Sequence, residues 1–518
     1  MNRPVPPSGP LGAARSPEGR PSYGGDEPIA AFATSPGESA LTLIRCSGKN
    51  AVELAASVFS RPQKLREAPA NSVIHGWIVE SRGKAGTDGG TNGGGEKIDE
   101  VLAAVYRGPK SYTGEDGLDI SCHGGFAAGR GVLRVLHAAG FRDALPGEFT
   151  FRAFMNGKLD LTRAESVMEL VSAKSDAGRG HAVNRLSGTL EEEIRRVKNL
   201  LVRVLAGTEL FLDYSEDEFE TGGPEAAGEL PERRLAEEAL DRLEKLAASW
   251  AMEQLCREGA LAVIAGRPNA GKSSLFNLLL KEERSIVTEI PGTTRDWIEG
   301  WLSLDGFPLR LMDTAGLRDS GGGPGADPVE QIGMERSREL IDKADIILYL
   351  IDGGKGLTGE DRAFFEKYGP APRNPAASPG DDRPGKKPRL IILWNKADIV
   401  PAVPVPGLPG GDMPAVSART GQGLPELIAA LKTALAGIAG QETSSPETPG
   451  IGTVRQKDLI DRARTAVGEA LALSAQGEPL DLIAPVLREA VNALGEITGE
   501  VSTAEILETM FSRFCVGK

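Results

Sequence analysis

Apolar positions follow two different periods along this chain. Within residues 27–150, short runs such as IAAFATS, ALTLIRCSG, VLAAVYRG and LDISCHGG have strand-like composition, and one helical pattern lies near 127–139. That mixture predicts an α+β module. From 151 to 258 the period lengthens to that of amphipathic helices, as in LEEEIRRVKNLLVRVLAGTELFLDY and RRLAEEALDRLEKLAASWAMEQL. Between 259 and 440 the runs LAVIAG, LRLMDT, IILYLID, LIILWN and MPAVSA alternate with helices. Such alternation predicts a parallel, doubly wound sheet with helices on both faces. Helical texture returns over 441–518 in RQKDLIDRARTAVGEALALSA and LREAVNALGEI. The simplest layout is a multidomain α/β plus α chain: an α+β domain, then a helical domain interrupted by an inserted α/β domain.

Pro- and Gly-rich stretches punctuate this layout at 1–26, 82–96, 369–388 and 441–450, with a shorter insert, SGGGPGA, at 320–326. The run at 82–96 lies between HGWIVE and IDEVLAAVY, so it reads as the loop of a long hairpin rather than a domain boundary. Residues 1–26 lack the apolar stretch of a signal peptide, and their Pro and Gly content opposes an amphipathic transit helix; a disordered tail is expected. No apolar run approaches the ~18–20 residues a membrane span needs.

Charge narrows the partners. With 59 Lys plus Arg against 73 Asp plus Glu, the net charge is −14, which excludes a broad basic face coating nucleic acid but not a local patch. The four cysteines (Cys46, Cys122, Cys256, Cys515) form no CxxC pair, so neither a disulfide framework nor a structural zinc site is expected. The Cys122-His123 step reads as a strand end. Together these features suit a soluble cytoplasmic protein.

The chemistry is concentrated in the inserted domain. GRPNAGKS at 266–273 fits the P-loop pattern and sits between the strand LAVIAG and the helix SLFNLLL. Its glycines let backbone N–H groups wrap phosphates at a helix N-terminus. Lys272 is expected to reach the β- and γ-phosphates, and the Ser273 hydroxyl to bind magnesium. DTAG follows, with Asp313 suited to the magnesium shell and the Gly316 N–H to the γ-phosphate. In PGTTRD, Thr293 and Thr294 supply the switch threonine, Thr294 being the better magnesium ligand. NKAD places Asp398 to accept from the ring N–H and amine of guanine, with Asn395 toward the carbonyl side; adenine presents the opposite polarity. In SAR, Ala418 offers a backbone N–H to the base edge. Five elements in this order identify a GTPase domain. After DTAG comes Leu317, which cannot orient the attacking water as a Gln would. Asn269 is either a turn-former or a ligand for a monovalent cation beside the phosphates.

The segments TSPGESALTLIRCSG, SYTGEDGLDISCHGG and PGEFTFRAFMNGKLDLTRAE, the inserted GTPase domain and the terminal FCVGK resemble the MnmE (TrmE) family of tRNA-modification GTPases, from about residue 27 to Lys518. The resemblance implies an N-terminal α+β folate-binding and dimerisation domain, a central helical domain and an inserted Ras-like P-loop GTPase domain. It implies nucleotide contacts from Asn269, Ala270, Gly271, Lys272, Ser273 and Ser274. Further contacts fall on Thr288, Glu289, Ile290, Pro291, Gly292, Thr293 and Thr294, and on Asp313, Thr314, Ala315 and Gly316. Asn395, Lys396, Ala397, Asp398, Ser417, Ala418 and Arg419 complete the set. Potassium falls to Asn269, Thr288, Ile290 and Thr293, and water orientation to Glu330 in DPVEQIG, downstream of the 320–326 insert. A reduced folate (5-formyl- or methylenetetrahydrofolate) falls to Arg45, Asp119, Lys158 and Lys518; the family usually carries Glu where Asp119 stands.

For Arg45 and Lys158 the residues alone favour solvated surface charges. Cys515 has three readings: CVGK as a prenylation signal, disfavoured by its final Lys; a buried inert thiol, the default; and the role in modification that the resemblance implies. The implied partners are a second copy of the chain, a flavoprotein (MnmG, also called GidA) that carries FAD and assembles as a heterotetramer or larger, and a tRNA bound weakly by this chain alone. The activity implied is potassium-dependent GTP hydrolysis coupled to adding an aminomethyl or carboxymethylaminomethyl group at the wobble uridine. The competing reading is a regulatory or ribosome-assembly GTPase without folate chemistry.

Overall fold

The computed structural model describes Tyr23 and residues 25–35, 37–80, 95–213, 230–282, 298–313, 338–369, 388–401, 413–439 and 448–518. The chain forms two compact units, one of Met1–Met168, Glu191–Leu240 and Leu459–Lys518, the other of Glu169–Leu190 and Asp241–Asp458.

The first unit holds a six-stranded sheet in the order β3-β4-β5-β2-β1-β6. Its strands are β1 (Ile29–Phe32), β2 (Leu41–Ser47), β3 (Ser72–Glu80), β4 (Glu96–Tyr106), β5 (Gly117–His123) and the short β6 (Arg142–Asp143). All neighbours are antiparallel except β1 and β6. β3 and β4 pair as the two arms expected around the Gly-rich run. One sheet face is buried by alternate residues, including Ile44, Cys46, Val101, Val105, Leu118 and Ile120, which pack with Val132 and Leu136 of the helix Phe126–Ala138. The other face of β2, β4 and β5 carries Arg45, Tyr106 and Asp119, because side chains alternate along a strand.

The chain end is anchored to this unit. Phe151 and Phe154, from the helix Glu148–Met155, pack with Phe511 and Phe514. Phe151 and Phe511 meet edge to face with centroids 5.4 Å apart, and Phe514 lies 5.2 Å from Phe511. Gly147 donates its N–H to the carbonyl of Cys515 at 3.2 Å. Gly517 adopts φ 92, and a Cβ there would collide with the Phe32 carbonyl, so glycine is required for this close approach.

The second unit contains a five-stranded sheet in the order β11-β10-β7-β9-β8. The strands are β7 (Ala260–Gly266), β8 (Ile298–Leu304), β9 (Phe307–Asp313), β10 (Ile346–Asp352) and β11 (Arg389–Asn395). Four are parallel, and β10 is buried along its whole length, as strands covered on both faces are. Two expectations need correction. The sheet is mixed, because β8 pairs antiparallel with β9 in a hairpin turning at Asp305 and Gly306. MPAVSA forms no strand; it contributes a single bridge between Ala415 and Trp394. Among the described residues no helix is long and apolar enough to cross a membrane, and no three or more His, Cys, Asp or Glu cluster as metal ligands.

Candidate functional site

The P-loop follows β7 and runs into the helix Lys272–Glu282. Gly266 has φ 140 and lies where a Cβ would strike the Leu350 carbonyl; Gly271 has φ 97 and lies where one would strike Asn395 Nδ2. Both spacer glycines of the pattern are therefore required by the backbone itself. Asn269 also sits in the left-handed region, at φ 64, which asparagine tolerates. Lys272 is buried, with its ammonium donating to the Arg267 carbonyl at 3.0 Å. Ser273 Oγ donates to Asp313 Oδ2 at 2.6 Å. A hydroxyl and a carboxylate brought this close are hard oxygen donors of the kind that could contribute to a magnesium shell.

The NKAD and SAR segments close the other side. Asn395 Nδ2 donates to the Ala270 carbonyl at 2.6 Å, and its Oδ1 accepts from the Ala418 N–H at 3.0 Å. Asn395 is thus a brace between the P-loop and the SAR loop, and its amide, with two N–H donors, keeps one beyond the bond to Ala270. The Ala418 N–H expected for the base edge is the same group that this brace engages. Ser417 is buried and accepts from Thr420 N at 3.2 Å, while Ala397 donates to the Val416 carbonyl at 3.1 Å. Lys396 adopts φ 66, and Asp398 and Arg419 are exposed. Ser274 is exposed on the first turn of the P-loop helix. Thr288, Glu289, Ile290, Pro291, Gly292, Thr293, Thr294, Thr314, Ala315, Gly316, Leu317 and Glu330 lie outside the described residues, as does the insert at 320–326.

On the six-stranded sheet, Arg45 and Asp119 are register partners of β2 and β5. Arg45 Nε and one terminal nitrogen reach the two Asp119 oxygens at 3.0 and 3.2 Å. The guanidinium's other terminal nitrogen donates to the carbonyl of Gly517, 472 residues away, at 3.4 Å. Burial would weaken the Arg45 charge, but Asp119 outweighs it and holds the group protonated. Arg45 is therefore not a solvated surface charge, and both Asp119 oxygens are engaged by it. Lys158 is exposed, as the residues alone suggest, with its ammonium donating to the Pro109 carbonyl at 2.9 Å. Lys518 is half-buried at the chain end.

Three of the four thiols are buried, and burial pushes Cys122 up to about 11 and Cys256 up to about 12. Cys515 is exposed, which overturns the default expectation of a buried inert thiol. Cys122 and His123 do end a strand, where His123 Nδ1 lies 2.7 Å from Asp99 Oδ1.

Sequence reading missed the frame beneath this cluster. Glu148, fully buried, is gripped by Arg142 at 2.6 Å and Arg152 at 2.9 Å. Arg152 also reaches Glu115 at 3.2 Å, and Glu115 accepts from Ser47 at 2.8 Å. The i,i+4 spacing of Glu148 and Arg152 in PGEFTFR was the available signal.

Two family descriptions match this chain: the GTP-binding protein TrmE N-terminus over residues 28–158 and the MnmE helical domain over 161–515. The tRNA modification GTPase MnmE of Treponema denticola is 41% identical over 502 residues, 96% of this chain and 99% of that protein. The protein of the same description from Symbiobacterium thermophilum is 41% identical over 95% of this chain and all of its own length. Among solved structures, Era of Aquifex aeolicus aligns over 40% of this chain and 66% of its own at 22% identity, with a TM-score of 0.25. A P-loop braced through Asn395 to the SAR loop, together with near full-length identity above two-fifths, leads to one conclusion: the chain belongs to the MnmE family of tRNA modification GTPases, and hydrolyses GTP.

Proposed function

We propose that this GTPase couples hydrolysis to the addition of an aminomethyl or carboxymethylaminomethyl group at the wobble uridine of certain tRNAs. The one-carbon unit comes from a reduced folate and the nitrogen from ammonium or glycine, and a flavoprotein of the MnmG type shares the reaction. The observation that carries this reading is the meeting of Arg45, Asp119 and the carbonyl of Gly517 on one sheet face. A folate has a pterin edge that donates to a carboxylate and a glutamate tail that needs cations. Asp119 suits the first, and Arg45, Lys158 and Lys518 suit the second. Cys515 stands exposed two residues before Gly517, where a thiol can take part in the transfer. The domain limits that fit this reading are a tail at 1–26, a folate and dimer domain at 27–150, helical parts at 151–258 and 441–518, and the GTPase domain at 259–440.

In the GTPase domain, Lys272 and the P-loop N–H groups hold the phosphates, and Asp398 reads guanine. Ser273 and Thr294, with Asp313 beside Ser273, would hold magnesium; Asn269, Thr288, Ile290 and Thr293 would hold potassium. Both ions supply positive charge against the phosphates during transfer. Glu330 takes the water-orienting role that Leu317 cannot. Two copies associate through their N-terminal domains, and nucleotide-dependent closure of the GTPase domains drives the cycle. With a net charge of −14, the chain alone binds tRNA weakly and in a salt-sensitive way.

Reconstitution tests the whole reading. Unmodified tRNA, the flavoprotein, GTP, a reduced folate and ammonium or glycine in potassium buffer should yield the modified nucleoside by mass spectrometry. Omitting folate, or replacing potassium with sodium, should remove it. Product formed at equal yield without folate would refute the reading.

A further inference from the structure

The end of β10 and the loop after it, Asp352–Gly356, belong to none of the nucleotide-binding motifs, yet they touch two of them. Asp352 is 2% exposed and lies level with Asn395, its register partner on β11. Its Oδ1 accepts from the Gly354 N–H at 3.0 Å, which fixes the carboxylate plane. Its Oδ2 accepts from the Lys396 ammonium at 2.8 Å. Burial alone would raise this carboxyl; the Lys396 ammonium and the Gly354 N–H outweigh it and hold Asp352 below the usual carboxylate range. The neighbouring Gly353 N–H donates to the Asn395 carbonyl at 3.1 Å. At the far end of the loop, the Gly356 carbonyl accepts from Arg267 of the P-loop at 2.8 Å.

Lys396 needs such a tether. At φ 66 it occupies a region that costs a non-glycine residue energy and that persists only when the surroundings enforce it. The Lys396 carbonyl then accepts from both the Ile399 and Val400 N–H groups at 3.0 Å, closing the turn that carries Asp398. The direction of the Asp398 carboxylate therefore depends on the backbone of Lys396, and that backbone depends on Asp352.

We propose that Asp352 is a positioning residue for guanine recognition: through Lys396 it fixes the turn that aims Asp398 at the base, and through its loop it ties that turn to the P-loop. This inference rests on the assignment of Asp398 to guanine made above. It predicts an effect on nucleotide affinity rather than on the chemical step, because the loop acts through the side chains of Lys396 and Arg267.

The experiment uses the full-length chain and measures GDP affinity by fluorescent-nucleotide titration together with steady-state GTP turnover. In Asp352→Asn, the GDP Kd and the KM for GTP should rise about tenfold, the loss expected for one buried charge-assisted bond, while kcat at saturating GTP stays within about twofold. Lys396→Met should lose affinity to a similar degree, and the double variant should be no worse than Lys396→Met alone. Unchanged Kd in Asp352→Asn, or additive losses in the double variant, would overturn the proposal. If Asp352→Asn fails to fold, Lys396→Met decides: parental affinity in that variant overturns it. Asp398→Asn tests the premise separately, since an amide there should transfer preference from guanosine to xanthosine nucleotides. Failure of that transfer removes the base reading whatever Asp352 does.

Discussion

In the unit around the P-loop, the groups that would handle nucleotide come from strand ends and their following turns, each a few consecutive residues. On the six-stranded sheet of the other unit, the charged groups come from two neighbouring strands and from the chain end, with Arg45 and Gly517 separated by 472 positions. The first arrangement uses backbone conformation: Gly266, Asn269, Gly271 and Lys396 all have positive φ. The second uses side chains set by strand register, with one carboxylate and one guanidinium side by side. A backbone cradle fixes residue types at fixed spacing. A side-chain cluster fixes only that certain charges meet, so it leaves little trace in local sequence.

The largest expected effect breaks the first region and spares the second. Lys272→Ala removes the buried P-loop cation and should lower kcat/KM for GTP by at least about a thousandfold, with folate affinity unchanged. A smaller loss is expected for Gly271→Ala, which needs a strained φ and pushes a methyl into Asn395 Nδ2. Guanine-nucleotide binding should weaken by roughly a hundredfold as the brace from Asn395 to Ala270 is lost, measured by GDP titration. Deleting Lys518 addresses the other region: folate affinity should fall about tenfold, while GTP turnover stays at the parental rate.

The smallest effect concerns stability. Asp160 precedes the helix Leu161–Ser172, accepting from Arg163 N at 3.0 Å and Thr162 Oγ1 at 2.7 Å. Burial pushes its carboxyl up to about 6, with Glu191 adding to the rise and the hydrogen bonds opposing it. Because the folded state then holds this proton more tightly than the unfolded chain does, stability falls as pH rises from about 4 to 6, and the cost stays constant above. Asp160→Asn keeps an acceptor for the helix N-terminus without the buried charge. Its Tm should exceed the parent's by a few degrees near neutral pH, and the gain should vanish near about pH 4 in paired thermal melts.

These contrasts explain what sequence could convey. The long helices, the strands β7, β9, β10 and β11, and the P-loop were all legible, because amphipathic period and glycine spacing are local signals. β8 was missed and MPAVSA overcounted, since one antiparallel arm and one bridging residue differ in pairing rather than in composition. The amide of Asn395 suits a purine edge, but only the fold shows that it also ties Ala270 of the P-loop to Ala418. The Arg45–Asp119 pair and the exposure of Cys515 depend on how the terminal segment docks through Phe511 and Phe514. No local pattern encodes that docking. Family resemblance supplied those residue assignments, and the structure supplies their partners.

The central claim is that one chain carries both a GTPase site and a folate site. Equilibrium binding of 5-formyltetrahydrofolate to the full-length protein and to Arg45→Ala tests it most directly, with GTP turnover measured on the same preparations. Saturable binding to the parent, weakened by roughly a hundredfold in Arg45→Ala while GTP turnover is kept, is the predicted result. No saturable binding to the parent, or equal binding by Arg45→Ala, would contradict it.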